Sequence, residues 1–230
     1  MSQITPLFAV PFVFVSHPQP EPLNSRLREL FIVREAEGAR YANPSPYTER
    51  NAPVFESRFD LFAWPQPEIM QLRDFCLSHL LRSIGQLSGF DEGTLRGINV
   101  KTDAWFHITR RNGYFGVHNH PLASWSGVYC VTPGVDDAGE PDSGKLTFIT
   151  PHHASGMYVD AGSEHLQLPF GIQNFGICLK AGQLVLFPSF LLHHVLPFQG
   201  EGERITVAFN CAFQRHDSSC PANSDQSVLS

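Results

Sequence analysis

The chain has 230 residues, enough to bury a sizeable core, and its 42% hydrophobic against 17% charged residues exclude a disordered polymer. A net charge of -6 excludes a nonspecific nucleic-acid surface, which needs a basic excess. No apolar run is long enough for a membrane helix, and the five scattered cysteines form no C-x-x-C pair, so free thiols in the cytoplasm are expected.

The chain reads as one domain. Residues 1–98 supply helical and strand elements, 99–215 a β core and 216–230 a flexible tail. The opening MSQITPLFAVPFVFVSH has no basic leader and is broken by Pro6 and Pro11, so it reads as a core strand rather than a signal peptide. Pro22 suits a first helical turn, and Leu23, Leu27, Leu30 and Phe31 then share one face. YANPSPYTERNAP is loop. A second helix is predicted from Pro67 to Ile84, with Ile69, Leu72, Cys76 and Leu80 inward and Gly85 as its stop. From Asn99 the texture changes. KTDAWFHI, WSGVYCV, KLTFI, QLVLF and RITVAFNCAF are short β-branched and aromatic runs separated by turn residues, the pattern of a β-sandwich or barrel. The predicted fold is mainly β with N-terminal helices.

Within GVHNHPLASWSGVYCV, His118 and His120 are two apart, so on a strand they project from one face. An imidazole pair suits Zn, Fe, Mn or Cu. Downstream, QLVLF ends at Pro188, and His193 and His194 follow. Adjacent strand residues face opposite sides, so one of these two is expected to be a ligand. Three such histidines are what a double-stranded β-helix, the jelly-roll or cupin-like barrel, brings together at its mouth. Unperturbed imidazole ligands would begin to lose their metal to protons below about pH 6.5.

In RITVAFNCAF, alternation puts Arg204, Thr206, Ala208 and Asn210 on one face and Ile205, Val207, Phe209, Cys211 and Phe213 on the other. The second face is core. On the first, Arg204 would be a buried cation in need of an anion, and no acid shares that face. A ligand carboxylate gripped by the guanidinium, with the Thr206 hydroxyl helping, would satisfy it.

These stretches carry a resemblance. HNHPLASWSGVYCV, FPSFLLHHV and RITVAFN are similar to the H-x-H-P…SGVYYV, FPSWLxHxV and RISIAFN segments of a bacterial and phage group of iron(II)/2-oxoglutarate-dependent dioxygenases. The likeness spans Ala104 to Phe213. It implies metal ligands at His118, His120 and His193, the last chosen over His194 by its distance from Val195, and a 2-oxoglutarate anchor at Arg204. The implied cofactors are Fe(II), 2-oxoglutarate and O2. The implied reaction is hydroxylation of an unactivated C–H bond in a small molecule or amino-acid side chain.

Most of that superfamily carries Asp or Glu where His120 stands, so the metal site would be an unusual three-histidine one, equally suited to zinc. Its halogenases have a small residue there, and His120 argues against halogenation. Further expected contacts are Tyr129 with a co-substrate carboxylate and Asn210 as a pocket wall. Trp105, His107 and Arg110 are candidates for the substrate, with His152 and His153 near the mouth. Two rival readings are a cupin-type three-histidine oxygenase or isomerase without 2-oxoglutarate, and a non-catalytic barrel for a small acid or a partner protein. Neither nucleic acid nor membrane is an expected partner.

Overall fold

The computed structural model describes residues 4–135, 139–152 and 156–215. The proposed tail, 216–230, and His153 lie outside the described residues. Three helices, α1 (Glu21–Ala36), α2 (Pro67–Ser88) and α3 (Glu92–Arg96), precede most of the strands. The strands are β1 (Val13–Ser16), β2 (Val54–Glu56), β3 (Ile98–Thr109), β4 (Phe115–His118), β5 (Trp125–Thr132), β6 (Leu146–Phe148), β7 (Phe175–Ile177), β8 (Gln183–Pro188), β9 (His193–Val195) and β10 (Arg204–Arg215). They form a six-stranded sheet in the order β1-β8-β5-β10-β3-β2 and a four-stranded sheet in the order β4-β9-β6-β7. All pairings are antiparallel. This is a double-stranded β-helix with helices on the larger sheet.

The helices form where the apolar spacing asks for them. Leu23, Leu27 and Phe31 of α1 are buried, and the Phe31 ring stacks on Phe106 of β3 at 4.1 Å. Each fully buried side chain of this size contributes roughly 1.5–3 kcal/mol of transfer free energy. Ile69, Leu72, Cys76 and Leu80 of α2 join the same core, together with Tyr129, Val207 and Phe209 from the sheet.

Two boundaries differ from expectation. Helix α2 runs through Gly85 and ends at Gly89, whose φ of 66° is the left-handed cap. Gly85 serves packing instead: a Cβ there would lie 2.9 Å from Leu95 Cδ1. The opening segment is strand only over β1, an edge strand of alternating burial, and Ile4, Leu7 and Phe8 are exposed. The two prolines deny it ladder donors.

Strand β10 organises the rest. It pairs with β3 along its whole length and with β5 on its other side. Ile205, Val207, Phe209 and Cys211 face the helices. The opposite face looks towards the smaller sheet, and one row across it reads Glu56, His107, Thr206, Cys130 on β2, β3, β10 and β5.

Candidate metal centre and adjoining cleft

The smaller sheet sets two histidines side by side. His118 ends β4 directly opposite His193 of β9. His120 lies beyond the end of β4, so the H-x-H pair does not share one strand as expected; its backbone N–H is held by the Ser189 carbonyl at 3.0 Å. The three rings still converge, with centroids 4.3, 5.1 and 4.9 Å apart. One nitrogen from each lies within 4.8 Å of the others. His194 takes the opposite face of β9 and does not join them.

The donor set fits a divalent ion. His118 Nδ1 is 2.8 Å from the Gly116 carbonyl and His193 Nδ1 is 2.9 Å from the Leu191 carbonyl. A carbonyl only accepts, so both rings carry their proton on Nδ1 and keep the Nε2 lone pair for a ligand. In His120 a buried Nδ1 has no hydrogen-bond partner. Burial lowers the pKa of all three, and mutual repulsion lowers those of His120 and His193 further, His120 to about 3. Neutral imidazoles are the form a metal takes.

The cleft beside the histidines is lined on β10 by Arg204, Thr206 and Ala208 and elsewhere by Val128, Leu146 and Val195. Arg204 is 6% exposed and makes no ion pair among the described residues. Burial lowers its pKa, so the cation is held at a desolvation cost. Trp105 and His107 also line the cleft, as do Glu56, Phe59, Tyr47 and Thr48. Tyr47 and Thr48 were missed because YANPSPYTERNAP reads only as loop, and Glu56 and Phe59 because the short strand β2 and its exit carry no ligand motif. The one usable signal was a lone acid in the apolar run VFESRF, since a buried carboxylate requires partners.

Three expected contacts are corrected. Tyr129 lies on the helix side of the sheet and donates its hydroxyl to Asn24 Oδ1 at 2.7 Å, because strand alternation turns it away from Val128 and Cys130. Arg110 makes a two-pronged pair with Glu35 of α1 at 2.6 and 2.7 Å, outside the cleft. Asn210 shares the face of Arg204 but sits beyond the cleft, accepting from Ser126 at 2.8 Å. His152 lines a separate apolar cavity of about 430 Å³ on the far side of Phe148 and Leu191.

His107 is largely shielded, and its pKa is lowered by burial and by Arg50 and Arg204, against the pull of Glu56. With His118, His120 and His193 it makes a set of four depressed imidazoles. The unfolded chain protonates near pH 6.5 while the folded chain does not, so the fold binds fewer protons below that pH. Stability is therefore full above about pH 6.5 and is lost as pH falls towards the lowered values, by at most about 1.4 kcal/mol per pH unit for each group. The denaturant midpoint of metal-free protein should drop between pH 6.5 and 5 more steeply than one proton allows. An unchanged midpoint would contradict this. Metal affinity of the still-folded protein should hold to lower pH than unperturbed imidazoles would allow.

Residues 103–210 match the family model described as "Putative 2OG-Fe(II) oxygenase". The search of curated protein sequences found no significant match. Among solved structures, a Pseudomonas putida prolyl-4-hydroxylase aligns with TM-score 0.57 at 17% identity, over 90% of this chain and 94% of that one. A Trichoplax adhaerens prolyl hydroxylase, solved with a hypoxia inducible factor peptide fragment, aligns with TM-score 0.56 at 11% identity, over 87% and 82%. HygX from Streptomyces hygroscopicus, solved with nickel, 2-oxoglutarate and hygromycin B, aligns with TM-score 0.51 at 12% identity, over 91% and 84%. The fold is thus that of the 2-oxoglutarate oxygenases. Over residues 103–210 the sequence is similar to the 2OG-Fe(II) oxygenase family, and the fold around that stretch is one it shares with solved members of that group. No helix among the described residues is long and apolar enough to cross a membrane.

Proposed function

We propose that this cleft hydroxylates a C–H bond of a small molecule or an amino-acid side chain, with Fe(II) held by His118, His120 and His193. The observation that carries the reading is one cleft holding three neutral imidazoles, two of them buried, and, on the facing strand, a buried arginine unpaired among the described residues. When bound, iron supplies the oxidative decarboxylation of 2-oxoglutarate that drives oxygen insertion. The protein binds, orients and excludes water. Arg204 grips the distal carboxylate of the co-substrate with its planar fork, and the Thr206 hydroxyl donates a further hydrogen bond. Val128, Leu146 and Val195 wall this compartment with apolar surface, which keeps water away and strengthens the charge pair. A set of three neutral ligands leaves the full charge of the ion to attract a dianionic co-substrate.

The test is succinate formation from 2-oxoglutarate by anaerobically iron-loaded protein exposed to O2, with and without candidate substrates. Succinate release that depends on added iron supports the reading. Tight metal binding with no affinity for 2-oxoglutarate would move a cupin-type three-histidine reaction ahead of it.

A further inference from the structure

The cleft holds only about 50 Å³ of free space, well below the roughly 300–1,000 Å³ of small-molecule sites. The segment 43–50 runs beside it and places Tyr47 and Thr48 in its lining. Both ends of this strap are tied to one buried carboxylate, Glu56. Asn43 Nδ2 donates to Glu56 Oε1 at 2.7 Å, and Arg50 lies 2.9 Å from the same oxygen. The Arg50 angle is too poor for a hydrogen bond, so that contact is a pairing of charges. The other oxygen, Oε2, lies 3.0 Å from Nε2 of His107.

That nitrogen is also 2.9 Å from the Trp105 indole nitrogen. One ring nitrogen cannot accept from the indole and donate to the carboxylate at once. The bond to an ionised acceptor is the stronger, so the proton belongs on Nε2. Burial would raise the pKa of Glu56, but His107, Asn43 and Arg50 together hold it down to about 2, so the acceptor is charged. His107 stands opposite Thr206 in the sheet, and Trp105 packs its edge against His120 at 5.9 Å.

We infer that Glu56 is the positioning residue of the cleft, latching the strap 43–50 with one oxygen and fixing the ring orientation and tautomer of His107 with the other. A substrate that needs more room than the cleft offers would displace a strap that shares its anchor with the wall of the site. The inference rests on the proposed reading of the cleft as an oxygenase site, but its two arms are measured on metal-free, full-length protein.

The first arm is amide hydrogen exchange at Asn43, Ser45 and Gly116, whose N–H groups bond to Glu56, Asn43 and Glu49. Glu56→Ala and Arg50→Ala should each speed it at least about tenfold, while α2 amides keep the parental rate. The second arm is imidazole nitrogen NMR. In the parent, His107 should carry its proton on Nε2. In Glu56→Gln the amide oxygen stays with Asn43 and its NH2 turns to His107, so the proton should move to Nδ1, a change that loosened packing alone would not produce. Parental exchange in Arg50→Ala overturns the latch even if Glu56→Ala does not fold. A parental His107 protonated on Nδ1, or a tautomer unmoved in Glu56→Gln, overturns the positioning role. Neither result depends on succinate formation, so failure here and failure of the oxygenase reading are told apart.

Discussion

Arg204→Met should raise the 2-oxoglutarate concentration for half-maximal succinate release by roughly thirty- to several-thousand-fold while the metal stays bound. Removing one partner of a desolvated charged pair costs on the order of 2–5 kcal/mol, which converts to that range. Methionine keeps much of the side-chain volume and drops the charge. Arg204→Lys should rescue only in part, because a point charge cannot reproduce the two-pronged geometry. The structure adds a second readout of opposite sign. Arg204 is buried with no ion pair among the described residues, so its charge burdens the ligand-free fold. Replacing such a cation with an apolar side chain is often neutral or stabilising by about 1–4 kcal/mol. Metal-free Arg204→Met should therefore unfold at a denaturant midpoint no lower than the parent. A variant that binds 2-oxoglutarate as the parent does would end the anchor assignment. A strongly destabilised one would mean that the guanidinium serves the fold.

His118→Ala, His120→Ala and His193→Ala should each lose metal affinity by more than about a hundredfold, whereas His194→Ala should keep it. Disturbing a group that merely orients a ligand typically costs about 10–100-fold, and deleting the ligand should exceed that. The three rings are neutral in the metal-free fold at neutral pH, so deleting one leaves no unpaired buried charge and the metal-free variants should remain folded there. Metal analysis of the four purified proteins, with denaturation curves beside it, decides the matter. If His194→Ala empties the site and His193→Ala does not, the choice made from the family spacing is wrong.

Much of the architecture is legible in the sequence because it follows from local periodicity. Alternation in RITVAFNCAF determines which face of β10 meets the helices and which carries Arg204 and Thr206. The spacing of Leu23, Leu27 and Phe31 determines the buried side of α1, and the spacing of His193 and His194 lets at most one join a cluster on a given face. Other features belong to the tertiary structure alone. Gly85 could read as a stop until Leu95 was seen to need its missing Cβ. Tyr129 and Val128 are neighbours in sequence, yet only the docking of α1, with Asn24 under the hydroxyl, shows which of them faces the core. His120 leaves the strand and still reaches its partners because Ser189, far along the chain, holds its amide. Beyond a lone acid in VFESRF, Glu56 and its strap could not be read for the same reason. Its partners Asn43 and Arg50 stand at the two ends of one loop and His107 on β3, segments that only the tertiary structure brings together, and a carboxylate's worth in a buried site is set by those partners rather than by its neighbours in sequence.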